Sequence, residues 1–260
     1  MNATTGRTAV LETRDLAIEF GGIHAVDGVD LVVEPGQVVG LIGPNGAGKT
    51  TLLNLITGVY TPSRGEVAFA GKRVDGTAPY QRARDGIART FQNIRLFKGM
   101  TVLEHVHVAL ESREPAWRSL TSFRRGAGAD GTTVLGTIPA TLTALGLWED
   151  RDRIATELSY GAQRRLEIAR ALALQPRLLL LDEPAAGMND DETMKVADLI
   201  RDLSERGLSV LLIEHNMPFV SRTCEVVTVI NFGKHLMSGT PEEIRKDPRV
   251  LEAYLGADDE

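Results

Sequence analysis

One glycine-rich segment restricts the fold of this 260-residue chain more than any other feature of its sequence. Residues 43–50 read Gly-Pro-Asn-Gly-Ala-Gly-Lys-Thr, directly after the apolar run 38–42, and an apolar helical pattern then continues to Thr57. Glycines let such a loop turn tightly and bring its N–H groups close to phosphate oxygens. Lys49 adds a mobile positive charge, and Thr50 offers a hydroxyl to Mg²⁺. This succession predicts a phosphate-binding site, with an ordinary turn as the alternative.

Two further apolar runs predict that the loop lies at the edge of a parallel sheet. Residues 178–181 and 209–213 are almost entirely apolar, like residues 38–42, and this composition is typical of strands covered on both faces. Helical patterns lie between and beyond them, at residues 190–205 and after Glu214. Strands that alternate with helices in this way form a parallel sheet flanked by helices.

The N-terminal and central parts of the chain carry different patterns. Residues 16–20 and 29–33 alternate between apolar and polar side chains, which predicts half-buried antiparallel strands. Residues 97–174 lose the buried-strand pattern and predict a helical subdomain. Within it, residues 112–136 mix arginine, glycine, serine and threonine, which favours an exposed, mobile insert.

Composition excludes several classes of protein. With 43% hydrophobic and 25% charged residues the chain is typical of globular proteins, and its single cysteine, Cys224, leaves no disulfide framework and favours a reducing, cytoplasmic location. A net charge of −6 argues against a nucleic-acid partner. The longest charge-free run, residues 131–148, holds five threonines, three glycines and Pro139, so we expect a loop and a short helix over about residues 139–147 rather than a membrane span. The N-terminal residues lack the apolar core of a signal peptide.

A second candidate site follows the apolar run at residues 178–181. Asp182 and Glu183 stand side by side at its end, before Pro184. Asp182 can hold Mg²⁺, often through water, and Glu183 can polarise an attacking water. An acidic turn after a buried strand is common in proteins without such a site. Beside a phosphate loop, we interpret the pair as catalytic.

A phosphate loop and an acidic strand end occur in kinases, GTPases and ATPases alike. Residues 158–165, Leu-Ser-Tyr-Gly-Ala-Gln-Arg-Arg, distinguish these classes, because with the apolar helical face that follows they resemble the signature of ATP-binding cassette (ABC) ATPases. In that family the serine and glycine backbone lie at a helix N-terminus and grip the γ-phosphate held by the other subunit. The resemblance assigns these roles to Ser159 and Gly161. Ser159 would equally serve as an N-cap.

The resemblance extends over residues 11–256 and assigns further roles. Phe20 lies where the family stacks an aromatic ring on adenine, although a strand phenylalanine is as often part of the core. Gln92, in Arg-Thr-Phe-Gln, is similar to the glutamine that touches Mg²⁺ and senses the membrane partner; outside the family pattern it would be a surface residue. His215, in Leu-Ile-Glu-His-Asn, matches the histidine that contacts the γ-phosphate, where the alternative is a structural histidine.

The chain also departs from the commoner family pattern. Tyr160 and Ala162 replace the third and fifth residues of Leu-Ser-Gly-Gly-Gln, and Asn189 replaces a common aspartate. Tyr160 and Asn189 resemble the residues found at these positions in branched-chain amino acid importer ATPases. Further resemblances to that subgroup are residues 89–101, the insert before Leu158 and the closing Ala-Tyr-Leu-Gly. Ala162 departs even from that subgroup, which affects the expected geometry of the signature helix.

The fold implied by the resemblance is α/β: a P-loop NTPase of the ABC ATPase type, with a mostly parallel core sheet, an N-terminal antiparallel β subdomain and a helical subdomain. We expect one domain over residues 8–256. Its predicted parts are the catalytic core with the β subdomain at residues 8–96 and 175–240, the helical subdomain at 97–174, and C-terminal helices at 241–256 that begin at Pro241 and Pro248.

The resemblance implies an ATP-hydrolysing transporter subunit that uses ATP and Mg²⁺. The expected catalytic residues are Lys49, Gln92, Glu183 and His215. The expected Mg²⁺ ligands are Thr50, Gln92 and Asp182. The expected nucleotide contacts are Phe20, Gly43, Asn45, Gly46, Ala47, Gly48, Lys49, Thr50, Thr51, Ser159, Gly161 and Asn189.

The implied partners are a second ATPase subunit, identical or paralogous, two permease subunits and an extracytoplasmic solute-binding protein, with no nucleic acid. We expect the chain at the cytoplasmic face of the inner membrane, driving uptake of branched-chain amino acids. A lipopolysaccharide exporter shares the closing Tyr-Leu-Gly pattern and is the first alternative; a non-transport cassette of DNA repair or the ribosome is the second. A P-loop small-molecule kinase is a further alternative, but the signature and His215 argue against it.

Overall fold

The structure is a computed structural model that describes residues 8–90, 94–112, 132–133 and 135–255. Its elements begin with β1 (Leu11–Phe20), β2 (Ile23–Val33), β3 (Val38–Ile42), α1 (Lys49–Thr57), β4 (Arg64–Phe69), β5 (Lys72–Arg73), α2 (Pro79–Asp85), β6 (Ile87–Arg89) and α3 (Val102–Glu111). They continue with β7 (Thr132–Thr133), β8 (Gly136–Thr137), α4 (Ile138–Ala144), a 3₁₀ turn (Ala155–Glu157), α5 (Tyr160–Ala173), β9 (Leu178–Asp182), α6 (Asp190–Glu205), β10 (Ser209–Ile213), α7 (Met217–Thr223), β11 (Val226–Asn231), β12 (Lys234–Gly239), α8 (Pro241–Lys246) and α9 (Pro248–Leu255).

A six-stranded sheet forms the centre of the fold, in the order β12-β11-β3-β10-β9-β6. Every pairing is parallel except that between β11 and β12. The three apolar runs of the sequence are β3, β10 and β9, adjacent in this sheet and buried at every residue. The predicted mostly parallel core sheet is therefore confirmed.

The apolar strands are buried because each contributes to two cores. Leu179 and Leu181 of β9 pack into one cluster with residues of α3, α4, α5 and α6, whereas Leu178 and Leu180 pack into the other with α1, β1 and β2. Successive strand residues point to opposite faces. An unbroken apolar run is therefore what a strand between two layers requires.

A four-stranded antiparallel sheet, in the order β2-β1-β4-β5, covers one face. It confirms the antiparallel strands expected near the N-terminus. Phe20, at the end of β1, is 45% exposed, which excludes the alternative of a core side chain. The alternation breaks at the end of β1, where Leu16, Ala17 and Ile18 are all buried and the pairing with β2 shifts register on either side of Ile18.

The helical part of the chain contains α3, α4 and α5, with α3 and α4 both packed against α5. The expected helix at about residues 139–147 is shorter and starts earlier, at Ile138, because the Thr137 hydroxyl caps it by accepting a hydrogen bond from Ala140 N–H. Where a plain loop was expected, β7 and β8 form a two-stranded sheet. Most of the expected mobile insert, residues 113–131 and 134, lies outside the described residues, so its mobility stays a prediction.

Helices α8 and α9 begin at Pro241 and Pro248, as expected, and α8 packs against both β11 and β12. The Thr240 hydroxyl caps α8 by accepting a hydrogen bond from Glu243 N–H. The division of the chain into subdomains at residues 96, 174 and 240 stays a prediction. Over the described ranges, no helix combines the length and apolar character needed to cross a lipid bilayer.

Candidate nucleotide-binding and catalytic site

Three adjacent parallel strands bring the predicted catalytic segments to one edge of the sheet. Ile213 at the end of β10 pairs with Leu41 of β3 on one side and with Asp182 of β9 on the other. The loops that follow these strands begin at Gly43, Glu183 and Glu214. Because parallel strands end at the same edge, loops that begin as far apart in the chain as Gly43 and Glu214 become neighbours, and ligands of α/β sheets bind at this edge.

The phosphate loop, residues 43–50, is held tightly by the surrounding backbone. A Cβ atom at Gly43 would lie 2.1 Å from the Ile230 carbonyl oxygen, and one at Gly48 would lie 2.2 Å from that of Ala25. Gly233 N–H also donates a hydrogen bond of 3.0 Å to Ala47 O. The two glycines are therefore required by contacts within the protein, in addition to the phosphate approach on which the prediction was based.

Helix α1 presents a free N-terminus to this loop. Its N-cap residue is Gly48, with φ of 98°, and no side chain in the described part of the chain caps it. The first N–H groups of a helix have no partner within the helix and carry the positive end of its dipole. An anion at this position would receive these hydrogen bonds.

Lys49 is held by the phosphate loop, and the charges of Asp182 and Glu183 act on it. Its Nζ donates hydrogen bonds of 2.6 Å to Gly43 O and 2.7 Å to Pro44 O. Burial lowers the pKa of the Lys49 ammonium, while the charges of Glu183 and Asp182 act in the opposite direction. The ammonium and both carboxylates are therefore close enough to interact electrostatically.

Asp182 is buried and paired. Its side chain is 4% exposed, and Arg89 donates to its Oδ2 at 3.1 Å. A second guanidinium nitrogen of Arg89 donates to Asn54 Oδ1 at 2.6 Å, which ties β6 and α1 to the end of β9. Sequence reasoning gave Arg89 no role, although it stands three residues before Gln92 in the quoted motif. A buried carboxylate without such a partner would be costly.

The donor chemistry at this edge fits Mg²⁺. The Thr50 hydroxyl lies in the exposed first turn of α1, and the Asp182 carboxylate is the buried oxygen donor at the end of β9. Hydroxyl and carboxylate oxygens are the ligands that this hard cation prefers.

Glu183 and His215 come together although they lie on different loops. Glu183 has a left-handed backbone, with φ of 50°, and its N–H donates a hydrogen bond of 3.0 Å to Ile213 O. Its Oε1 lies 3.8 Å from Nδ1 of His215. The His215 side chain is 72% exposed, so it is not a buried histidine, and its role at the site stays a prediction.

Glu214, which sequence reasoning passed over, anchors this pair of loops. Its side chain is buried. Oε1 accepts a hydrogen bond of 3.0 Å from Ala185 N–H, and Oε2 accepts bonds of 3.0 and 3.3 Å from the N–H groups of His215 and Asn216. Its position between an apolar strand and His215 was the one signal the sequence offered.

Phe20 projects from the end of β1 as an exposed ring. It makes an edge contact with Tyr60, at a centroid distance of 5.2 Å and an interplanar angle of 67°. Phe20 is therefore not part of the core, and its ring is available for stacking. Tyr60, which the sequence analysis did not select, supports it through this contact.

The signature residues lie at the start of α5, in the helical part of the chain. Ser159 is the N-cap of α5, accepting a hydrogen bond of 3.3 Å from Ala162 N–H. The Tyr160 ring is 49% exposed and packs on Gly187, where an added Cβ would lie 2.3 Å from its Cδ1. Asn189 caps α6 through a 2.9 Å bond from Glu192 N–H. The capping alternative for Ser159 is confirmed, and it does not exclude a second role. Gln92 lies outside the described residues.

Comparison with known proteins gives consistent results along the chain. A family model described as ABC transporter matches residues 26–186, and one described as branched-chain amino acid ATP-binding cassette transporter matches residues 234–260. The high-affinity branched-chain amino acid transport ATP-binding protein BraF of Pseudomonas aeruginosa is 46% identical over 253 residues, covering 95% of this chain and 98% of BraF. LivG of Escherichia coli, of the same description, is 42% identical with the same coverage.

Other relatives differ in their described role or are known as structures. The lipopolysaccharide export system ATP-binding protein LptB of Haemophilus influenzae is 34% identical, covering 95% of this chain and 98% of LptB. The ADP conformation of an ATP-binding cassette from an ABC transporter superposes with a TM-score of 0.81 at 32% identity, covering 95% of this chain and 99% of that one. Fold, sheet-edge geometry and these matches together show that the chain belongs to the ABC transporter family, as an ATP-binding and ATP-hydrolysing subunit.

Proposed function

We propose that this ATPase subunit energises the uptake of branched-chain amino acids. The observation that carries the proposal is the match of residues 234–260 to the branched-chain amino acid cassette model, to which the identities with BraF and LivG add support. The described part of this segment lies beside the site, because Tyr254 and Ile244 line a cavity of about 260 Å³ together with His215.

In the proposed reaction a water molecule attacks the γ-phosphorus of ATP, and the bond to the bridging oxygen breaks to release ADP and phosphate. Glu183 orients this water and accepts its proton. Lys49 and His215 stabilise the negative charge that spreads over the transferring phosphoryl group. The 3.8 Å approach of Glu183 to His215, and the position of Lys49 beside both carboxylates, support these roles.

Mg²⁺ would be held by Thr50 and Asp182, with Gln92 as a further proposed ligand. When bound, it would neutralise charge on the β- and γ-phosphate oxygens. The ion pair with Arg89 fixes the position of the Asp182 carboxylate at the end of β9.

Two copies of such a site would form between two ATPase subunits. We propose that Ser159, Gly161 and Asn189 contact the nucleotide held by the phosphate loop of the neighbouring subunit, which is identical or a paralogue. The exposure of Tyr160 at the start of α5 supports a surface that is completed by another chain. Phe20, exposed beside Tyr60, would stack on the adenine ring.

Membrane permease subunits are the partners that family membership implies. We propose that there are two, that a solute-binding protein delivers the substrate to them, and that this chain attaches peripherally at the cytoplasmic face. A groove of about 500 Å³, lined by the half-exposed Phe97 and Val108, is the proposed permease contact. In the sequence Gln92 stands between two residues of its lining, Thr90 and Arg95, and we expect it to transmit the contact to the site.

A second candidate function is lipopolysaccharide export, because LptB is 34% identical over nearly the full length. The deciding experiment measures uptake of radiolabelled leucine in cells that lack this gene and carry the wild-type chain or Glu183→Gln on a plasmid. We expect wild type to restore uptake and Glu183→Gln to leave it at the level of the deletion. Normal leucine uptake in the deletion strain, combined with lipopolysaccharide retained in the inner membrane, would favour export instead.

A further inference from the structure

The Glu214 carboxylate is a buried charge whose hydrogen bonds come from the backbone. Its residue is 3% exposed, and both oxygens are used. A buried carboxylate is stable only when hydrogen bonds replace its lost hydration, and bonds to an ionised acceptor are about twice as strong as neutral ones. Three N–H donors supply this replacement. The arrangement is therefore a strong link between the segments to which the three N–H groups belong.

Those segments are the two loops that carry the proposed catalytic side chains. Ala185 N–H belongs to the loop after β9 and lies two residues beyond Glu183, with Pro184 between them. The other two N–H groups belong to His215 itself and to Asn216. One carboxylate thus connects the loop of Glu183 to the loop of His215, where the two side chains approach to 3.8 Å.

The backbone conformation of Glu183 shows why such a link is needed. Its φ of 50° lies in the left-handed region, which costs free energy for a residue with a side chain. Such a conformation persists only where neighbouring contacts enforce it. Glu183 N–H is held by Ile213 O, and the bond from Ala185 N–H to Glu214 holds the other side of the same turn.

We propose that Glu214 is a positioning residue for ATP hydrolysis, which fixes Glu183 and His215 in one arrangement by binding the backbone of both loops. This proposal rests on the roles proposed above for Glu183 and His215. Glu214 touches neither nucleotide nor water in this scheme. Its removal should therefore slow the chemical step while the phosphate loop still binds ATP.

The matched control lies at the opposite end of the same strand. Ser209, the first residue of β10, is fully buried; its Oγ donates to Glu34 O at 3.1 Å and accepts from Gly36 N–H at 3.0 Å. Ser209→Ala thus removes buried hydrogen bonds between a side chain and a loop backbone, as a substitution of Glu214 would. It does so at the edge of the sheet remote from His215, so it reports the effect of lost stability alone.

The informative substitution is Glu214→Gln. A carboxamide has one acceptor oxygen and one NH₂ donor, so one of the two oxygen positions would present N–H groups to backbone N–H groups. Glu214→Asp keeps both acceptors on a side chain that is one methylene shorter, and we expect it to recover part of the activity. Phosphate release by the full chain is measured against ATP concentration for both variants, Ser209→Ala and Glu183→Gln, below the lowest melting temperature of the set.

We expect Glu214→Gln to lower kcat about tenfold or more while KM for ATP stays within about threefold, and Ser209→Ala to change neither by more than about twofold. A Glu214→Gln kcat equal to that of Ser209→Ala, or a KM that rises as far as kcat falls, would overturn the proposal. If Glu214→Gln does not fold, Glu214→Asp is judged by the same criterion. Wild-type turnover in Glu183→Gln would instead refute the proposed function itself.

Discussion

The sheet edge and the signature helix, two regions proposed to meet the same phosphates, are built in opposite ways. At the sheet edge, Asp182 and Glu214 are buried and bonded to groups of this chain. At the start of α5, Tyr160 is half exposed, and Ser159 uses its hydroxyl to cap its own helix. The first region fixes its charged side chains by bonds within the described chain, whereas the second leaves an aromatic side chain exposed, which we propose another subunit covers.

The largest effect is expected for Glu183→Gln, which should separate ATP hydrolysis from dimerisation of the subunits. Glu183→Gln should reduce turnover by about 10²- to 10⁴-fold, because an amide cannot accept a proton from water. ATP would then stay intact and hold two subunits together, so ATP-dependent dimerisation should increase. Gel filtration with light scattering in MgATP, for this chain alone and with a paralogous partner, measures the association.

Ser159→Arg in the Glu183→Gln background is the matched control for that experiment. This double variant should bind ATP as Glu183→Gln does, because Ser159 is proposed to serve the opposite site, yet it should stay monomeric. Equal dimerisation with and without Ser159→Arg would show that the start of α5 takes no part in assembly, and the contrast between the two regions would fail.

Lys49→Ala tests whether the sheet edge binds ATP with its own groups. The variant loses the ammonium that donates to Gly43 O and interacts with both carboxylates. Since charge-assisted hydrogen bonds contribute about 1.5–3 kcal/mol, affinity should fall about 10- to 150-fold. Equilibrium binding of a labelled ATP analogue measures it. Unchanged affinity would exclude residues 43–50 as the nucleotide site.

Phe20→Ala tests an exposed aromatic side chain of the proposed nucleotide site. Adenine affinity should fall by about 1–3 kcal/mol, the range for a base stacked on an aromatic ring. Stability without ATP should change little, because Phe20 is half exposed and contacts chiefly Tyr60. Thermal melts with and without ATP separate these effects. A loss of about 3–5 kcal/mol without ATP would mean that the ring is part of the core after all.

The smallest expected effect concerns pH in the helical region. His105 is buried; its Nε2 accepts a 2.9 Å hydrogen bond from Phe97 N–H, and its Nδ1 lies 2.8 Å from Thr101 O. Burial, with a smaller contribution from the charge of Arg170, lowers the pKa of His105. The unfolded chain, with a pKa of about 6.5, therefore takes up this proton first. The contribution of neutral His105 to the free energy of unfolding is therefore complete above about pH 6.5, and it is lost as pH falls toward the folded-state pKa.

Melting temperatures at pH 7.5 and 5.5 measure this dependence in wild type and in His105→Gln, which keeps an acceptor but cannot take up a proton. We expect the decrease at low pH to be smaller in the variant. An identical decrease would assign the pH dependence to other groups and leave His105 as a packing residue only.

Much of the fold could be predicted because its elements carry strong local patterns. The spans of β3, β10 and α6 agree with the apolar and helical patterns to the residue, since strands covered on both faces must be apolar throughout. The sequence left two roles open for Phe20, adenine stacking and core packing, and its exposure in the structure excludes core packing. The β7–β8 hairpin was missed because two-residue strands carry no periodic signal.

The proposed site could be predicted from local motifs, because residues 43–50, the adjacent Asp182 and Glu183, and the signature at Ser159 are each recognisable by residue type and spacing. How these groups are held follows from the tertiary structure. The Arg89 pair with Asp182 and the bond of Glu214 to Ala185 join residues that are 93 and 29 positions apart. No local pattern encodes such distances, because they arise from the order in which parallel strands assemble into a sheet.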